Sequence, residues 1–296
     1  NDSMDTIKKL HTYGSAKNKK IQFIGVPKTI DNDLAVTDHT PGFGSACKYI
    51  ATTIKEIIKD ATVYDAKNVT IIEIMGRNAG WLTGAAAITK SEDCNGVDLI
   101  YLPEVVFDIE KFVKKVKKLQ KNKKSLVIAI SEGIKNKNGI NICEIEEENT
   151  VLDCFGHKSL SGTANNLAKI LHRNLGCKTR AIELNTTQRC ASHFMSEVDI
   201  NESFLAGSYA VNIALNGETG KVVVFERTSN RPYNIVMKAH NVYDIANVEK
   251  KVPLEWINSE EGTVSQELVD YIKPLIQGEV YPIMVDGLPK HLKLNK

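Results

Sequence analysis

The side chains of one short turn could together carry out phosphoryl transfer: Lys28, Thr29, Asp31 and Asp33. A lysine can hold phosphate oxygens while an aspartate takes the proton from an acceptor hydroxyl, and the reaction needs both. The apolar run at 21–24, just before the turn, predicts a buried parallel strand, and open α/β sheets bind ligands at the carboxyl ends of their strands. The turn alone fits equally well a proline-led loop whose aspartates cap the next helix and whose lysine is solvated.

Further side chains suited to a phosphorylated ligand lie in or after the predicted strands at 69–74, 125–130 and 179–184. They are Met75, Gly76, Arg77, Glu132, Arg180 and Arg189. Each alone has an ordinary structural explanation, because a lone glutamate or arginine is usually a surface group and a lone methionine usually fills a core. Their joint occurrence at successive strand ends favours a shared ligand site.

The elements that would position these residues alternate between strands and helices, which predicts parallel sheets covered by helices on both faces. Thr40 followed by Pro41 predicts a helix start, and Asp199 with Glu202 predicts a capping box. The strand at 221–226 is the last clear one. The remaining predicted strand spans 97–102, and the predicted helices span about 2–12, 40–60, 83–89, 109–121, 161–174, 199–216 and 263–277. The helix at 40–60 has one apolar face, formed by Ala46, Ile50, Ile54, Ile57 and Ile58.

The composition is that of a globular protein large enough for two domains, with 296 residues of which 42% are hydrophobic and 25% are charged. The 38 lysines and arginines nearly balance the 36 aspartates and glutamates, so a net charge of +2 gives no reason to expect nucleic acid or membrane partners. The six cysteines are scattered without a Cys-x-x-Cys pair, which predicts neither a zinc site nor a disulfide framework. Buried free thiols in a reducing compartment are the simpler explanation, and we expect a cytoplasmic protein.

Two motifs resemble the phosphofructokinase family: Pro-Lys-Thr-Ile-Asp-Asn-Asp at 27–33 and Met-Gly-Arg-Asn-Ala-Gly-Trp at 75–81. Ser-Glu-Gly at 131–133, Thr-Arg at 179–180 and Gln-Arg at 188–189 follow in the family's order and at about its spacing. The resemblance implies an α/β, phosphofructokinase-like fold with two Rossmann-like lobes, whose parallel-rich sheets are covered by helices. It assigns 1–44 and 188–246 to a phosphoryl-donor lobe and 45–187 to a sugar-phosphate lobe. Residues 247–296 form a C-terminal extension that it assigns to neither lobe.

The resemblance also implies a role for each matched residue in phosphorylating the 1-hydroxyl of fructose 6-phosphate. Asp31 would be the base, Thr29 would hold the sugar or the transferring phosphoryl group, and Asp33 would support a metal ion or the turn. The sugar-phosphate pocket would be lined by Met75, Gly76 and Arg77. Glu132 would accept hydrogen bonds from sugar hydroxyls, and Arg180 and Arg189 would clamp the 6-phosphate.

The donor prediction depends on Asp2 and Lys28, which resemble the pyrophosphate-dependent branch of the family. A carboxylate at the α-phosphate site would repel ATP, and a lysine would neutralise the charge growing on the oxygens of a donor that has no adenosine. Lys28 is the weaker indication, because some ATP-using relatives look similar there. With Ser3, these two residues form the predicted donor-binding set, and Asp2 and Lys28 are counted with Thr29 and Asp31 as catalytic.

The chain departs from the family's pattern at three positions. Asn1 lies where an aspartate usually helps to hold Mg²⁺; an amide oxygen can still bind the ion, but without the charge. Asn68 replaces an arginine that in many relatives reaches the neighbouring subunit's sugar-phosphate site, and Thr186 lies where a histidine is common. We still expect Mg²⁺ as cofactor, held by Asn1 and Asp33, and a homo-oligomer, either a dimer or a tetramer.

Asn1, Asp2 and Ser3 look like the tail of the family's glycine-rich donor loop, whose backbone amides cradle phosphates. We therefore expect that the sequence lacks its true N-terminus and holds the sugar site with only half of the donor site.

The predicted function is a phosphotransferase that uses pyrophosphate and fructose 6-phosphate in glycolysis, in a reaction that could also run in reverse. Three alternatives remain open from the residues. The nearest is an ATP-dependent phosphofructokinase. The second is a non-catalytic regulatory subunit that binds sugar phosphates, although such a protein needs no base at Asp31. The third is a ribose-phosphate or nucleotide-binding module, which gives no reason for Glu132, Arg180 and Arg189 together.

Overall fold

A computed structural model describes residues 2–63, 65–145 and 162–293 of the chain. The chain forms two compact units. The first unit comprises Asn1–Tyr49, Arg189–Glu249 and Tyr271–Lys296, and the second comprises Ile50–Gln188 and Lys250–Asp270. The assignment of one lobe to the donor and the other to the sugar phosphate stays a prediction.

The helices and strands follow each other in the alternating order that the sequence predicts. The α-helices are α1 (Asp2–Ala16), α2 (Phe43–Ala61), α3 (Trp81–Gly84), α4 (Ile109–Leu119), α5 (Thr163–Leu175), α6 (Glu197–Leu215) and α7 (Gln266–Ile272). The strands of the two main sheets are β1 (Ile24–Gly25), β2 (Asn68–Ile74), β3 (Leu99–Tyr101), β4 (Ser125–Ser131), β5 (Lys178–Glu183), β6 (Lys221–Asn230) and β7 (Tyr233–Asn241). Turns of 3-10 helix include Ala85–Thr89, Ile142–Ile145, Asn185–Arg189 and Lys273–Ile276.

The second unit contains a four-stranded, all-parallel sheet in the order β3-β4-β2-β5. All of β4 and all of β2 except its first residue are buried, as expected when helices cover both faces of a parallel sheet. Val69 and Ile71 of β2 pack with Phe112 of α4 and with Ala164 and Leu167 of α5. The carboxyl ends of β2 and β4 therefore lie side by side on a rigid support.

The first unit contains a mixed sheet in which β6 pairs in parallel with β1 and antiparallel with β7. Alternate residues of β6 point to opposite faces: Val222 and Val224 pack with Met4 of α1, while Val223 and Phe225 pack with α6. Because Gly25, the last residue of β1, pairs with Val222, the turn that follows β1 begins beside the buried first half of β6.

Two strand predictions in the first unit are wrong. The predicted strand at 21–24 is reduced to β1, and Ile21 is 57% exposed, because only Ile24 and Gly25 pair with β6. The strand at 221–226 continues to Asn230 and is followed by β7, so it is not the last. In β7, half-buried residues alternate with exposed ones over most of its length, so its sequence carries little of the continuous apolar signal of a buried strand.

The two predicted helix caps are also wrong. The hydroxyl of Thr40 donates to the carbonyl of Thr29 at 2.6 Å, and the carboxylate of Asp199 accepts from the backbone N–H groups of Gly42 and Ser45 at the start of α2. Helix α6 is capped by Ser196, whose hydroxyl accepts from the backbone of Asp199. The predicted capping pair is thus used in tertiary contacts, since Asp199 caps another helix and Glu202 accepts from Tyr233.

The other predicted helices differ mainly at their ends. The helix predicted from residue 2 continues to Ala16. The one at 83–89 is α3 followed by a 3-10 turn, and the one at 263–277 is α7 followed by a 3-10 turn that contains Pro274. Helix α5 begins at Thr163, and the predicted start at 161 lies outside the described residues. In the described parts of the chain, no helix is both long and apolar enough to cross a membrane.

The cysteines only partly follow the expectation of buried thiols. Cys47, Cys94, Cys143 and Cys177 are free and buried, whereas Cys190 is free and exposed. Burial raises the pKa of the Cys47 thiol, as expected of an inert structural cysteine. Cys154 lies outside the described residues.

Candidate active site

The turn after β1 places a threonine hydroxyl against the carboxylate of Asp31. Thr29 Oγ1 donates to Asp31 Oδ2 at 3.4 Å and accepts from the backbone N–H of Asp31 at 3.2 Å. The carbonyl of Thr29 is in turn held by the hydroxyl of Thr40. Since Asp31 is only half-buried, its carboxylate is fixed by local bonds and remains accessible to a ligand.

Asn32, directly after Asp31, is fully buried and has a positive φ of 55°. Its Nδ2 donates to the hydroxyl of Tyr271 at 2.9 Å. Neither residue is among the site residues that the sequence predicts. The only sequence signal for Asn32 is its position inside the motif, and nothing local to Tyr271 connects it with this turn.

The predicted donor-binding and metal-binding residues all belong to the first unit. Lys28 is exposed and Asp33 is half-buried. Asp2 and Ser3 form the exposed start of α1, and Asn1 lies outside the described residues. Within the described ranges, no group of three or more His, Cys, Asp and Glu side chains could by itself hold a metal ion.

In the second unit, the carboxyl ends of β2 and β4 form one tightly packed corner. The backbone N–H of Gly76 donates to Glu132 Oε1 at 3.3 Å, and the hydroxyl of Ser131 donates to the carbonyl of Gly76. A Cβ atom on Gly133 would overlap the carbonyl oxygen of Arg77, so the two segments are in backbone contact there. The structure therefore brings Gly76, Arg77 and Glu132 together, as the sequence predicts.

Two further residues support this corner and were not predicted. The backbone N–H of Met75 donates to Gln188 Oε1 at 3.2 Å. Thr163, the first residue of α5, donates its hydroxyl to the carbonyl of Glu132 at 2.9 Å. The sequence signal for Gln188 is its position directly before the predicted site residue Arg189. Thr163 carries no such signal, because its contact depends on how α5 packs.

Glu73 is a buried carboxyl group in the same corner that the sequence analysis missed. Its Oε2 accepts from the backbone N–H of Ala164 at 2.8 Å. Burial raises the pKa of Glu73 to about 8, and the carboxylates of Glu183 and Glu132 add to this effect, although the Ala164 N–H lowers it. A charged residue inside the apolar run at 69–74 was the available signal.

Arg180 does not join this corner, which corrects the expectation that it lies at a strand end with the others. It is the third residue of β5 and pairs with Thr70 of β2, near the amino ends of both strands. Met75 follows the other end of β2, so the two lie roughly 17 Å apart along the strand at about 3.3 Å per residue. The guanidinium of Arg180 instead forms an ion pair with Asp60 at 2.6 Å.

A cavity of about 230 Å³ lies at this amino end of the sheet, and Arg180 contributes to its wall. Its other charged or amide side chains are Asp60, Lys67, Asn68 and Lys178. Arg189 is exposed and is the last residue of the 3-10 turn Asn185–Arg189. The unit boundary falls within this turn, so Arg189 belongs to the first unit.

A parallel sheet whose strands are followed by polar side chains is typical of α/β proteins that bind small molecules at the carboxyl edge of the sheet. A family profile described as Phosphofructokinase matches residues 1–214. The chain belongs to the phosphofructokinase family.

Individual relatives align with nearly the whole chain. A pyrophosphate–fructose 6-phosphate 1-phosphotransferase from Halomonas elongata is 36% identical over 297 aligned residues, covering 100% of this chain and 70% of the relative. One of the same name from Xanthomonas campestris is 37% identical, covering 100% and 71%. The crystal structure of a pyrophosphate-dependent phosphofructokinase from Nitrosospira multiformis superposes with a TM-score of 0.87 at 32% identity, covering 98% of this chain and 69% of that one.

Proposed function

We propose that this chain is a phosphotransferase that moves a phosphoryl group from pyrophosphate to the 1-hydroxyl of fructose 6-phosphate, giving fructose 1,6-bisphosphate. The observation that carries the proposal is the similarity along the full chain to relatives named for this reaction. The contact between Thr29 and Asp31 supports it, because a binding-only protein has no need of a fixed, accessible carboxylate at this position.

In the proposed reaction, Asp31 is the general base. Its carboxylate takes the proton from the sugar 1-hydroxyl, and the sugar oxygen bonds to one phosphorus of pyrophosphate. The bond between that phosphorus and the bridging oxygen breaks, and phosphate leaves with the electron pair. Thr29 holds the acceptor or the transferring group beside Asp31. Since a phosphoanhydride is exchanged for a phosphoester, the same groups serve the reverse reaction, with protonated Asp31 as the acid.

The corner formed by β2 and β4 is the proposed sugar site. Glu132 suits sugar hydroxyls because a carboxylate can accept several hydrogen bonds, and its bond from the backbone N–H of Gly76 at 3.3 Å places it in this corner. Met75, Gly76 and Arg77 line the same site. The contact between Gly133 and Arg77 keeps these two segments in a fixed relation, which orients the sugar.

Arg180 is proposed to act in the sugar-phosphate site of a second copy of the chain. Its distance from Met75 prevents it from serving the corner of its own unit, while its guanidinium fork suits a phosphate. The family resemblance already connects this end of the sheet with a neighbouring subunit through position 68. Arg189 is proposed to complete the clamp on the 6-phosphate, and the enzyme is therefore a homo-oligomer.

For the donor, we propose that Asp2, Ser3 and Lys28 bind pyrophosphate and exclude ATP. The exposed amine of Lys28 can neutralise charge on the leaving phosphate, and the carboxylate of Asp2 opposes an additional phosphate.

The donor set fits Mg²⁺. Asp33 supplies a hard oxygen ligand two positions after the proposed base, and this ion is usually bound by one or two carboxylates together with substrate phosphates. Asp33 would hold it, with Asn1 as the second predicted ligand, and the ion would neutralise charge on the transferring phosphoryl group. The proposed place of the reaction is glycolysis in the cytoplasm.

The test is to assay the full-length protein with fructose 6-phosphate and Mg²⁺, using pyrophosphate or ATP as donor. Turnover with pyrophosphate alone is expected. Preference for ATP would overturn the donor assignment and favour an ATP-dependent phosphofructokinase. In parallel, Asp31→Ala should lower kcat by about 10²- to 10⁴-fold, as expected for loss of a general base. Binding of fructose 6-phosphate without turnover by either donor would instead favour a regulatory subunit.

A further inference from the structure

The segment that follows Asp31 is tied at both ends by one hydroxyl group, that of Tyr271. The hydroxyl accepts a hydrogen bond from Asn32 Nδ2 at 2.9 Å and donates to the backbone carbonyl of Asp38. Asn32 begins this segment and Asp38 ends it. Tyr271 is far away in the sequence, 239 positions after Asn32, and comes from the end of α7 in the same unit.

Tyr271 is itself held firmly. The guanidinium of Arg227 lies over its ring, 4.6 Å from the centroid, and Nη1 donates to its carbonyl at 3.0 Å. The same guanidinium bonds Asp38 Oδ1 through Nε and Nη2, at 3.0 and 2.9 Å. Burial and the nearby Asp38 carboxylate raise the pKa of Tyr271 well above its usual range, so its hydroxyl keeps the proton that it donates.

The other end of this segment is also anchored. The backbone N–H of Asp38 donates to the carbonyl of Phe225 on β6 at 2.8 Å. His39 Nδ1 bonds the Asp38 carboxylate at 2.8 Å, and its Nε2 bonds Glu202 at 2.7 Å. The hydroxyl of Tyr271 therefore connects Asn32 to a rigid part of the first unit.

Asn32 is the residue through which this anchor reaches the proposed base. It is fully buried, and its φ of 55° lies in the left-handed region that residues other than glycine rarely adopt. Because Asn32 directly follows Asp31, a change in its backbone conformation would shift the turn that carries the Asp31 carboxylate. Its side-chain bond to Tyr271 offsets part of the cost of that conformation.

We propose that Tyr271 is a positioning residue for phosphoryl transfer, which acts through Asn32 to hold the Asp31 carboxylate in its working orientation. The inference rests on the proposed function, in which Asp31 is the base. A small displacement of a general base lowers the rate of the chemical step more than it weakens substrate binding, because effective catalysis requires alignment of the reacting atoms.

The test compares Tyr271→Phe with the matched variant Tyr233→Phe in the full-length protein. Tyr233 also lies under Arg227, and its hydroxyl donates to Glu202 at 2.6 Å, so both variants remove one hydroxyl from the same network. Of these two hydroxyls, that of Tyr271 accepts the hydrogen bond from Asn32. We expect Tyr271→Phe to lower kcat by about tenfold to a hundredfold while the KM values for fructose 6-phosphate and pyrophosphate change less than about twofold. Tyr233→Phe should keep nearly the wild-type kcat.

A second variant, Asn32→Gly, keeps the left-handed backbone accessible and removes the side-chain bond to Tyr271. It should lower kcat by a factor similar to that of Tyr271→Phe, and the double variant should be no slower than the slower single variant, because both changes remove the same bond between Asn32 and Tyr271. If Tyr271→Phe fails to fold, the kcat of Asn32→Gly decides the question.

The inference is wrong if both variants turn over at the wild-type rate, if the effects appear only in KM, or if Tyr233→Phe loses as much activity as Tyr271→Phe. Asp31→Asn is measured alongside them. If it keeps full activity, the role of Asp31 in the proposed function fails. An inactive Asp31→Asn beside a fully active Tyr271→Phe would overturn only the positioning role.

Discussion

Replacing Glu73 by glutamine should remove a pH dependence of folding stability. Glu73 is buried at the end of β2, and its pKa is raised from 4.5 to about 8 in the folded protein, first by burial and then by Glu183 and Glu132. Between these two values the folded state binds more protons than the unfolded state, so stability falls as the pH rises. Glutamine mimics the protonated carboxyl group and does not titrate.

The magnitude follows from the pKa shift. One unit corresponds to about 1.4 kcal/mol, so a shift from 4.5 to about 8 gives an upper limit of about 5 kcal/mol. The contribution of Glu73 is fully present below pH 4.5, decreases by at most about 1.4 kcal/mol per pH unit above it, and is lost once the pH exceeds about 8. Relative to wild type, Glu73→Gln should therefore gain stability as the pH rises from about 6 to about 8, and the difference should level off between about 8 and 9.

The assay is urea unfolding of both proteins at several pH values in this range, and the quantity of interest is the difference between their free energies of unfolding. Taking the difference removes the titration of all other groups. Glu92→Gln, at an exposed position of the same unit, is the matched control for the loss of one carboxylate, and the pH dependence of the difference should be larger for Glu73→Gln than for this variant. A pH-independent difference for Glu73→Gln would refute the reasoning, because it would mean that Glu73 is ionised in the folded protein throughout the range.

Two further predictions concern the sugar site. Gly133→Ala should destabilise the protein by about 1–3 kcal/mol and raise the KM for fructose 6-phosphate, because the added Cβ would overlap the carbonyl of Arg77. Thermal unfolding and steady-state kinetics measure the two effects. An unchanged stability together with an unchanged KM would contradict the packing of this corner. Arg180→Ala should be nearly inactive at low concentrations of fructose 6-phosphate. Mixing it with Asp31→Ala should restore activity if each site takes its base from one copy of the chain and its arginine from the other. In a randomly mixed dimer, up to about a quarter of the sites would then be active. No recovery after subunit exchange would place Arg180 outside the partner's site.

Local sequence was sufficient for most secondary structure of the second unit. The strands at 69–74 and 125–130 were confirmed because a parallel sheet buried on both faces requires a continuous apolar run, which is visible in a few neighbouring residues. The same holds for α2, whose apolar face was confirmed at Ala46, Ile50, Ile54 and Ile58. Strand β7 was missed because its exposed residues interrupt the apolar pattern.

The motif residues were identified from sequence because types and spacing along a few residues define them. Thr29 and Asp31 contact each other within one turn, and Gly76 lies directly after a predicted strand. Arg180 was misplaced for a simple reason. The sequence placed it inside a strand, but side chains near the amino end of a parallel strand lie at the opposite edge of the sheet from those that follow its carboxyl end.

The amino-acid sequence by itself determined the family, the strand–turn positions of the proposed base and sugar ligands, and the apolar faces of the main helices. The tertiary structure decided which distant groups support them. Asp199 accepts a hydrogen bond from the backbone N–H of Ser45, 154 positions earlier in the chain, and Tyr271 bonds Asn32 across 239 positions. Hydrophobic periodicity is a property of neighbouring residues, whereas a hydrogen bond between remote segments exists only after the chain has packed, so no local pattern could predict these contacts.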